Sequence, residues 1–107
     1  MKDINVTAME VIVSAGDGRV KIDEALAAMA AKDLAQAEVL LAEADGLIVK
    51  AHNAQTEVIQ CQARGEDMEY SLLFIHAQDT LMTINTELRM TKKLLPIVKM
   101  LLEKEGG

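Results

Sequence analysis

The sequence predicts an all-α protein, and three features of its composition lead to that prediction. Half of the 107 residues are apolar, yet aromatic residues make up only 2% of the chain. Ala, Leu, Met, Glu and Lys are abundant and favour helices, whereas strands are usually built from aromatic and β-branched residues. Pro96 is the only proline. Long helices joined by short breaks fold back on one another, so we expect one domain over residues 1–105, an antiparallel three-helix bundle, with a disordered end at 106–107.

The first helix is predicted from about Ile4 to Ala31. Its weak point is the segment Gly16-Asp17-Gly18, because each glycine costs roughly 1 kcal/mol in a helix interior. The apolar phase resumes at Val20, which favours a continuous, locally bent helix over two shorter ones. The apolar positions that fall on one face of this helix are Val6, Met9, Val13, Val20 and Ala27.

The second helix has the clearest signals at both ends. Asp33 is suited to cap its N-terminus, with Gln36 three residues later in a capping-box arrangement. The helix is expected to run for about 30 residues to Ala63-Arg64, and Gly65 is suited to the left-handed position that follows a helix. Steps of three and four residues connect the apolar row Leu34, Ala37, Leu41, Ala44, Ile48, Ala51, Gln55 and Val58.

The third helix is predicted from about Met68 to Glu103, with a kink at Pro96. The acidic residues Glu66, Asp67 and Glu69 fall at its start, where the helix dipole favours negative charge. Two nearly opposite apolar rows follow from its periodicity. The first row contains Phe74, Ala77, Leu81, Ile84, Leu88, Leu95, Val98 and Leu102. The second row contains Ile75, Met82, Met90, Ile97 and Met100.

The second row predicts self-association, because a helix in an isolated three-helix bundle needs only one apolar face. Asp79 lies in this row, so copies of its carboxylate would converge if the row lines an oligomer axis. Carboxylates that meet in a dry interior must be protonated, hydrogen-bonded or bridged by a cation, and an oxygen-ligated ion such as Mg²⁺ is a suitable bridge. The alternative is a surface aspartate beside a partly exposed apolar strip.

His76 is the residue best suited to chemistry. It lies on a polar flank of the third helix, between the two apolar rows, together with Thr80, Thr83 and Glu87. A neutral imidazole is a nucleophile near pH 7. The alternative interpretation is that an isolated histidine in a helix serves packing or solubility, in which case the chain is a structural or adaptor bundle.

The remaining candidates carry weaker signals. His52 has no acidic neighbour one helical turn away, so a structural role is favoured. Cys61 has Arg64 three residues on, which could lower its pKa, but it has no cysteine partner, and this fits a reducing cytoplasm. The two histidines lack the spacing of a zinc site. Gly16-Asp17-Gly18 lacks the strand and the Lys-Ser/Thr of a phosphate-binding loop, so no nucleotide site is expected.

Charge and hydropathy exclude other classes of protein. A net charge of −6 argues against binding to DNA or RNA, because phosphates attract basic surfaces. No apolar run approaches the roughly 20 residues that span a bilayer, and the N-terminus does not resemble a signal peptide. We therefore expect a soluble cytoplasmic protein that does not insert into the membrane.

Three motifs in register resemble a known family. They are Ser14-Ala15-Gly16-Asp17 in the first helix, Ala51-His52 followed by Gln55-Thr56 in the second, and His76-Ala77-Gln78-Asp79 followed by Leu81-Met82-Thr83 in the third. Together they resemble the enzyme IIA component of the lactose/cellobiose (N,N'-diacetylchitobiose) branch of the bacterial sugar phosphotransferase system. The similarity covers nearly the whole chain.

The resemblance implies a phosphocarrier. In that family the motif histidine, here His76, accepts a phosphoryl group from HPr and passes it to a cysteine of the cognate IIB component during uptake of a β-linked disaccharide. The family forms homotrimers, nine-helix bundles in which the motif aspartate, here Asp79, meets a metal ion on the threefold axis, expected to be one Mg²⁺ per trimer. Gln78 and Thr80 are candidate supporting residues. Thr80 stands where family members usually carry a second histidine.

Overall fold

Three long helices account for almost all of the chain. The structure is a computed structural model that describes residues 3–106. Helix α1 is Ile4–Ala30, α2 is Leu34–Ala63 and α3 is Leu72–Gly106, and no strand occurs within the described range. The helices lie side by side in a rod of 61 × 20 × 18 Å. The predicted all-α, antiparallel three-helix bundle is confirmed, and α1 and α3 run parallel to each other with α2 antiparallel to both.

Helix α1 is continuous through its glycine-containing segment, as predicted. Asp3 caps its N-terminus, because the Asp3 carboxylate accepts a hydrogen bond of 2.8 Å from the backbone N–H of Asn5. Gly18 is buried where α1 approaches α2 closely. A Cβ added at Gly18 would lie 2.9 Å from Cδ1 of Ile48, whereas Gly16 has open space around it. The segment therefore allows α1 to pack closely against α2 and does not interrupt the helix.

The turn between α1 and α2 contains the expected cap and one residue with an unusual backbone. The Asp33 carboxylate accepts a hydrogen bond of 3.2 Å from the backbone N–H of Gln36. Lys32 has a φ of 65°, in the left-handed region that favours glycine. The backbone N–H of Asp33 donates to the carbonyl of Ala28, which closes the end of α1. The second turn places Gly65 at φ 82°, as the sequence predicted.

The predicted start of α3 is wrong by four residues. The helix begins at Leu72, and the segment 66–71 has no regular structure. Its first turn contains no acidic residue, so the expected dipole interaction of Glu66, Asp67 and Glu69 is also wrong. The buried Ser71 caps the helix instead, with its hydroxyl accepting a hydrogen bond of 3.0 Å from the backbone N–H of Phe74. A side-chain cap is a stronger start signal than nearby negative charge because it satisfies a free backbone N–H.

The C-terminal end of α3 also differs from the expectation. The helix continues through Pro96 and includes Gly106, which we expected to be disordered, while Gly107 lies outside the described residues. The side chain of Pro96 is exposed, so its ring does not disturb the packing between helices.

The core is built from one face of each helix. The predicted row of α2 is buried apart from Leu34, which is half-buried. The first row of α3 is buried from Phe74 to Leu88 and half-buried beyond it. In α1 the apolar row that the sequence indicated lies on the opposite side from the core and is exposed. Its buried face consists of Ile4, Thr7, Ala8, Val11, Ser14, Ala15, Gly18, Ile22, Ala25 and Met29.

Ion pairs join the helices near the middle of the rod. Arg19 of α1 contacts Glu87 of α3 at 2.9 Å, and Lys92 of α3 contacts Asp45 of α2 at 2.8 Å. Lys21 of α1 contacts Glu43 of α2 at 2.9 Å, and this hydrogen bond to the Glu43 carboxylate raises the pKa of Lys21 above its ordinary value. Such exposed pairs add little stability, but they identify which flanks of the helices face each other.

Introducing glycine in the first turn and removing it from the second should have opposite effects on the free energy of unfolding. Lys32→Gly should raise the free energy of unfolding by about 0.5–1 kcal/mol, because the left-handed conformation costs a side chain roughly 1 kcal/mol or more. Gly65→Ala should lower the free energy of unfolding by about 1 kcal/mol for the same reason. Urea unfolding at one protein concentration measures both changes.

Lys32→Ala is the matched control for the first turn. It removes the exposed contact of 3.3 Å between Lys32 and Glu105 but keeps a side chain at the left-handed position. We expect little change from it, because exposed ion pairs contribute little. Equal stabilities of Lys32→Gly and Lys32→Ala would contradict the backbone explanation.

Candidate functional site

His76 lies in the second turn of α3 with its side chain exposed. Two contacts set the register of α3 against α1: Asn5 with Ser71 and Arg19 with Glu87, which pair residues 66 and 68 positions apart. This register places His76 level with Met9. Glu87 follows His76 by 11 residues, or three turns, so both lie in one lengthwise row. Because Glu87 contacts α1, the row that contains His76 is the flank of α3 next to α1.

Hydrogen bonds fix the start of α3 a short distance before His76. The hydroxyl of Ser71 donates to Oδ1 of Asn5 at 2.7 Å and accepts from the backbone N–H of Phe74 at 3.0 Å. The carbonyl of Ser71 accepts from the backbone N–H of Ile75. Ser71 was not predicted from the sequence. A serine three residues before a buried aromatic residue is the signal that could have identified it.

The two predicted supporting residues lie on different sides of α3. Thr80 is half-buried and follows His76 by one turn, about 40° around the helix, so the structure brings it to the same flank. Gln78 is also half-buried but lies about 160° from His76. Its side of α3 is the one that contacts α2, where Lys92 meets Asp45. Of these two residues, only Thr80 lies on the same flank as His76 within one chain.

Asp79 is exposed within the second apolar row of α3. The large side chains of this row keep between 41% and 58% of their surface exposed in the single chain. Among residues 3–106, no three His, Cys, Asp or Glu side chains lie together so that they could hold a metal ion. Among these residues one chain therefore forms no three-ligand metal site around Asp79, whose carboxylate is an oxygen donor of the kind that Mg²⁺ binds.

His52 and Cys61 both lie on α2, a different helix from that of His76. His52 is exposed on α2. Cys61 is a half-buried free thiol near the end of α2, and its Sγ accepts a contact of 3.2 Å from Nη2 of Arg64. The structure does not bring either residue to the flank that contains His76.

A shallow groove beside the exposed face of α1 was not predicted. It has a volume of about 850 Å³ and lies at the same end of the rod as His76. Val6, Met9 and Val13 from the apolar row that the sequence indicated for α1 form one wall, and they keep 47% to 55% of their surface exposed. The groove is lined by Asn5, Val6, Met9, Glu10, Val13, Ser14, Lys50, Ala54 and Leu73.

Comparison with known proteins identifies the family. The family described as the lactose/cellobiose-specific IIA subunit of the phosphotransferase system matches residues 6–99. This range contains all three helices up to the last turns of α3, including His76 and Asp79. The chain belongs to this family, which confirms the resemblance found in its motifs.

Individual relatives agree with the family. The lactose-specific EIIA component of Staphylococcus aureus (strain N315) is 40% identical over 82 residues, which are 77% of this chain and 80% of that protein. The lactose-specific EIIA component of Streptococcus mutans serotype c is 43% identical over 82 residues, 77% of this chain and 79% of that protein.

Solved structures are similar over almost the whole chain. The cellobiose-specific enzyme IIA of Bacillus anthracis has a TM-score of 0.89 and 35% identity, covering 97% of this chain and 95% of its own. The IIA(Chitobiose) chain of Escherichia coli, determined in complex with HPr, has a TM-score of 0.81 and 26% identity, covering 94% of this chain and 98% of its own. Over residues 3–106, none of the helices combines the length and apolar character needed to cross a membrane.

Proposed function

We propose that this protein is a cytoplasmic phosphocarrier that accepts a phosphoryl group from phospho-HPr on His76 and passes it to a cysteine of the cognate IIB component. The observation that carries the proposal is the exposed position of His76, within the range that matches the IIA family. Support for the donor comes from the Escherichia coli IIA(Chitobiose) chain, which was solved in complex with HPr.

The chemistry needs little beyond a free imidazole and correct placement. A nitrogen of neutral His76 attacks phosphorus, a new N–P bond forms, and the bond between phosphorus and the donor breaks. In the second transfer the thiolate of the IIB cysteine attacks, and the N–P bond to His76 breaks. Phosphoryl transfer is promoted mainly by in-line positioning and stabilisation of charge, so an exposed side chain that two partner proteins can cover in turn is suitable.

Thr80 is the proposed supporting residue within one chain. Its hydroxyl lies one turn from His76 on the same flank and can donate a hydrogen bond to a phosphoryl oxygen, although it carries no charge. We assign Gln78 a role only across a boundary between subunits, because it faces the other side of α3. The sugar is proposed to be a β-linked disaccharide, because the relatives are named for lactose, cellobiose and diacetylchitobiose.

We propose that the protein assembles as a homotrimer, a nine-helix bundle with the second apolar row of α3 along the threefold axis. The exposed surface of Ile75, Met82, Met90, Ile97 and Met100 supports this arrangement, because a continuous row of large apolar side chains is unfavourable in water. His76 lies about 60° from Asp79 around the helix, so it would sit at the edge of the interface rather than inside it.

Convergence of three Asp79 carboxylates requires compensation. At an effective dielectric constant of about 20, two unit charges 4 Å apart repel by roughly 4 kcal/mol. We propose that one Mg²⁺ ion on the axis, held by Asp79 from each chain, offsets this repulsion and acts structurally. The large side chains of the second row are apolar, so we expect the trimer to persist without the ion.

Incubation with enzyme I, HPr and phosphoenolpyruvate tests the phosphocarrier role. The wild-type protein should gain one phosphoryl group per chain, stable in alkali and labile in acid, as an N-phosphorylated histidine is. His76→Ala should gain none. His52→Ala is the matched control and should be labelled like the wild type, because His52 lies on another helix away from the site. Absence of label on the wild type, or label lost only in His52→Ala, would refute the assignment.

Substitution of Asp79 tests the axial position. Asp79→Leu should remain a trimer that dissociates less readily than the wild type, because the substitution removes the repulsion and adds apolar contact. Asp79→Asn keeps the shape but not the charge and should also remain a trimer. Size-exclusion chromatography with light scattering over a dilution series measures the assembly. A monomeric Asp79→Leu under conditions where the wild type is trimeric would place Asp79 elsewhere.

The proposed Mg²⁺ ion leads to a separate prediction about thermal stability. Added Mg²⁺ should raise the melting temperature of the wild type and chelation should lower it, because an ion that binds only the folded assembly stabilises it. Neither Asp79→Leu nor Asp79→Asn should respond. Equal responses of the wild type and both variants would rule out Asp79 as the ligand.

A further inference from the structure

Hydrogen bonds connect the N-terminal ends of α1 and α3. The carboxylate of Asp3 accepts from the backbone N–H of Asn5 at 2.8 Å. The side-chain oxygen of Asn5 accepts from the hydroxyl of Ser71 at 2.7 Å. The hydroxyl of Ser71 in turn accepts from the backbone N–H of Phe74 at 3.0 Å. One hydroxyl therefore caps α3 and attaches it to the first turn of α1.

This connection is a polar link between α1 and α3 close to His76. Ser71 precedes His76 by five residues, whereas the contact of Arg19 with Glu87 lies 11 residues beyond it. The segment 66–70 before Ser71 has no regular structure and is mostly exposed, and within it Met68 packs against the core. Ser71 itself is only 8% exposed.

The first turn of α3 depends on the Ser71 cap because early helical N–H groups have no partner within the helix, and the bond to Asn5 holds the capping hydroxyl against α1. Loss of a cap allows the first turn to fray, and His76 lies in the turn that follows directly. Side chains on a helix lean towards its N-terminus, so the imidazole of His76 extends over the first turn. Movement of that turn relative to α1 would therefore move the imidazole.

We propose that Asn5 and Ser71 are positioning residues for His76: their hydrogen bond fixes the first turn of α3 against α1 and so holds the imidazole in the orientation needed for phosphoryl transfer. The proposal rests on the phosphocarrier role proposed above. The contact between Asn5 and Ser71 is not visible in any local sequence pattern, because the two residues are 66 positions apart. Neither residue touches the phosphoryl group in this mechanism.

Substitutions of Asn5 separate this role from simple capping. Asn5→Ala removes the bond between the helices but leaves the Ser71 hydroxyl free to cap α3. Asn5→Asp keeps an oxygen acceptor for the Ser71 hydroxyl, and its charge is favourable in the first turn of α1. Both changes are at an exposed position, so both variants should fold. Ser71→Ala, which removes the cap as well, is the more severe variant.

The rate of phosphorylation by phospho-HPr is the first measurement. Asn5→Ala should lower the maximal rate roughly tenfold and change KM by less than about twofold, because misplacement of a reacting group lowers the rate after binding. Asn5→Asp should restore most of the maximal rate. A raised KM with an unchanged maximal rate would overturn the proposal, since Asn5 would then contact the donor protein. Unchanged kinetics in Asn5→Ala would also overturn it.

Nuclear magnetic resonance of the imidazole rings is the second measurement, and it needs no phosphoryl transfer. The chain has two histidines, so His52 on α2 serves as an internal reference. In Asn5→Ala the ring signals of His76 should shift or broaden while those of His52 stay in place, and Asn5→Asp should reverse the change. Equal changes at both rings would indicate general destabilisation and contradict the proposal. If the wild type is not phosphorylated, the phosphocarrier role fails, while this measurement still reports on the link.

Discussion

The close approach of the helices is the constraint on which the rest of this structure depends. Small residues occupy the contacts between helices, and several alanines on all three helices are fully buried: Ala8, Ala15, Ala25, Ala37, Ala44, Ala51 and Ala77. Gly18 permits the closest approach, against Ile48. An alanine side chain removes little apolar area from water, so a core of this kind provides limited hydrophobic free energy for a chain of this length. Many larger apolar residues lie outside the core, on all three helices.

The position of the candidate site follows from the different side chains on the faces of α3. One face packs into the core, the opposite face carries Asp79 among exposed apolar side chains, and His76 occupies the flank between them next to α1. A nucleophile on such a flank stays open to a partner protein while the faces on either side are free to pack. This arrangement fits the phosphocarrier role proposed above.

Local patterns predicted the fold well where only one face of a helix is apolar. In α2 a single row of apolar residues predicted the buried side, and Asp33 and Gly65 predicted both ends. Helix α1 has two apolar faces. The periodicity of the sequence shows that both exist but does not show which of them packs into the core. The larger residues Val6, Met9 and Val13 drew attention to the exposed face, while the buried face includes Thr7 and Ser14. The predicted start of α3 was wrong because the acidic residues before the helix resemble those typical of a first helical turn. The hydrogen bond from Ser71 to Asn5 was not predicted because it joins distant parts of the chain.

Helix α3 carries both His76 and Asp79 on one unbroken backbone, and this has an evolutionary consequence. An insertion or deletion of one residue turns everything beyond it by about 100° relative to what precedes it. A single insertion or deletion between positions 76 and 79 would therefore separate the proposed carrier residue from the proposed assembly face, whatever the substitutions around it. Homologues should accordingly vary in length in the irregular segment 66–70 rather than within α3, and the spacing of these two residues should be retained even where their neighbours differ.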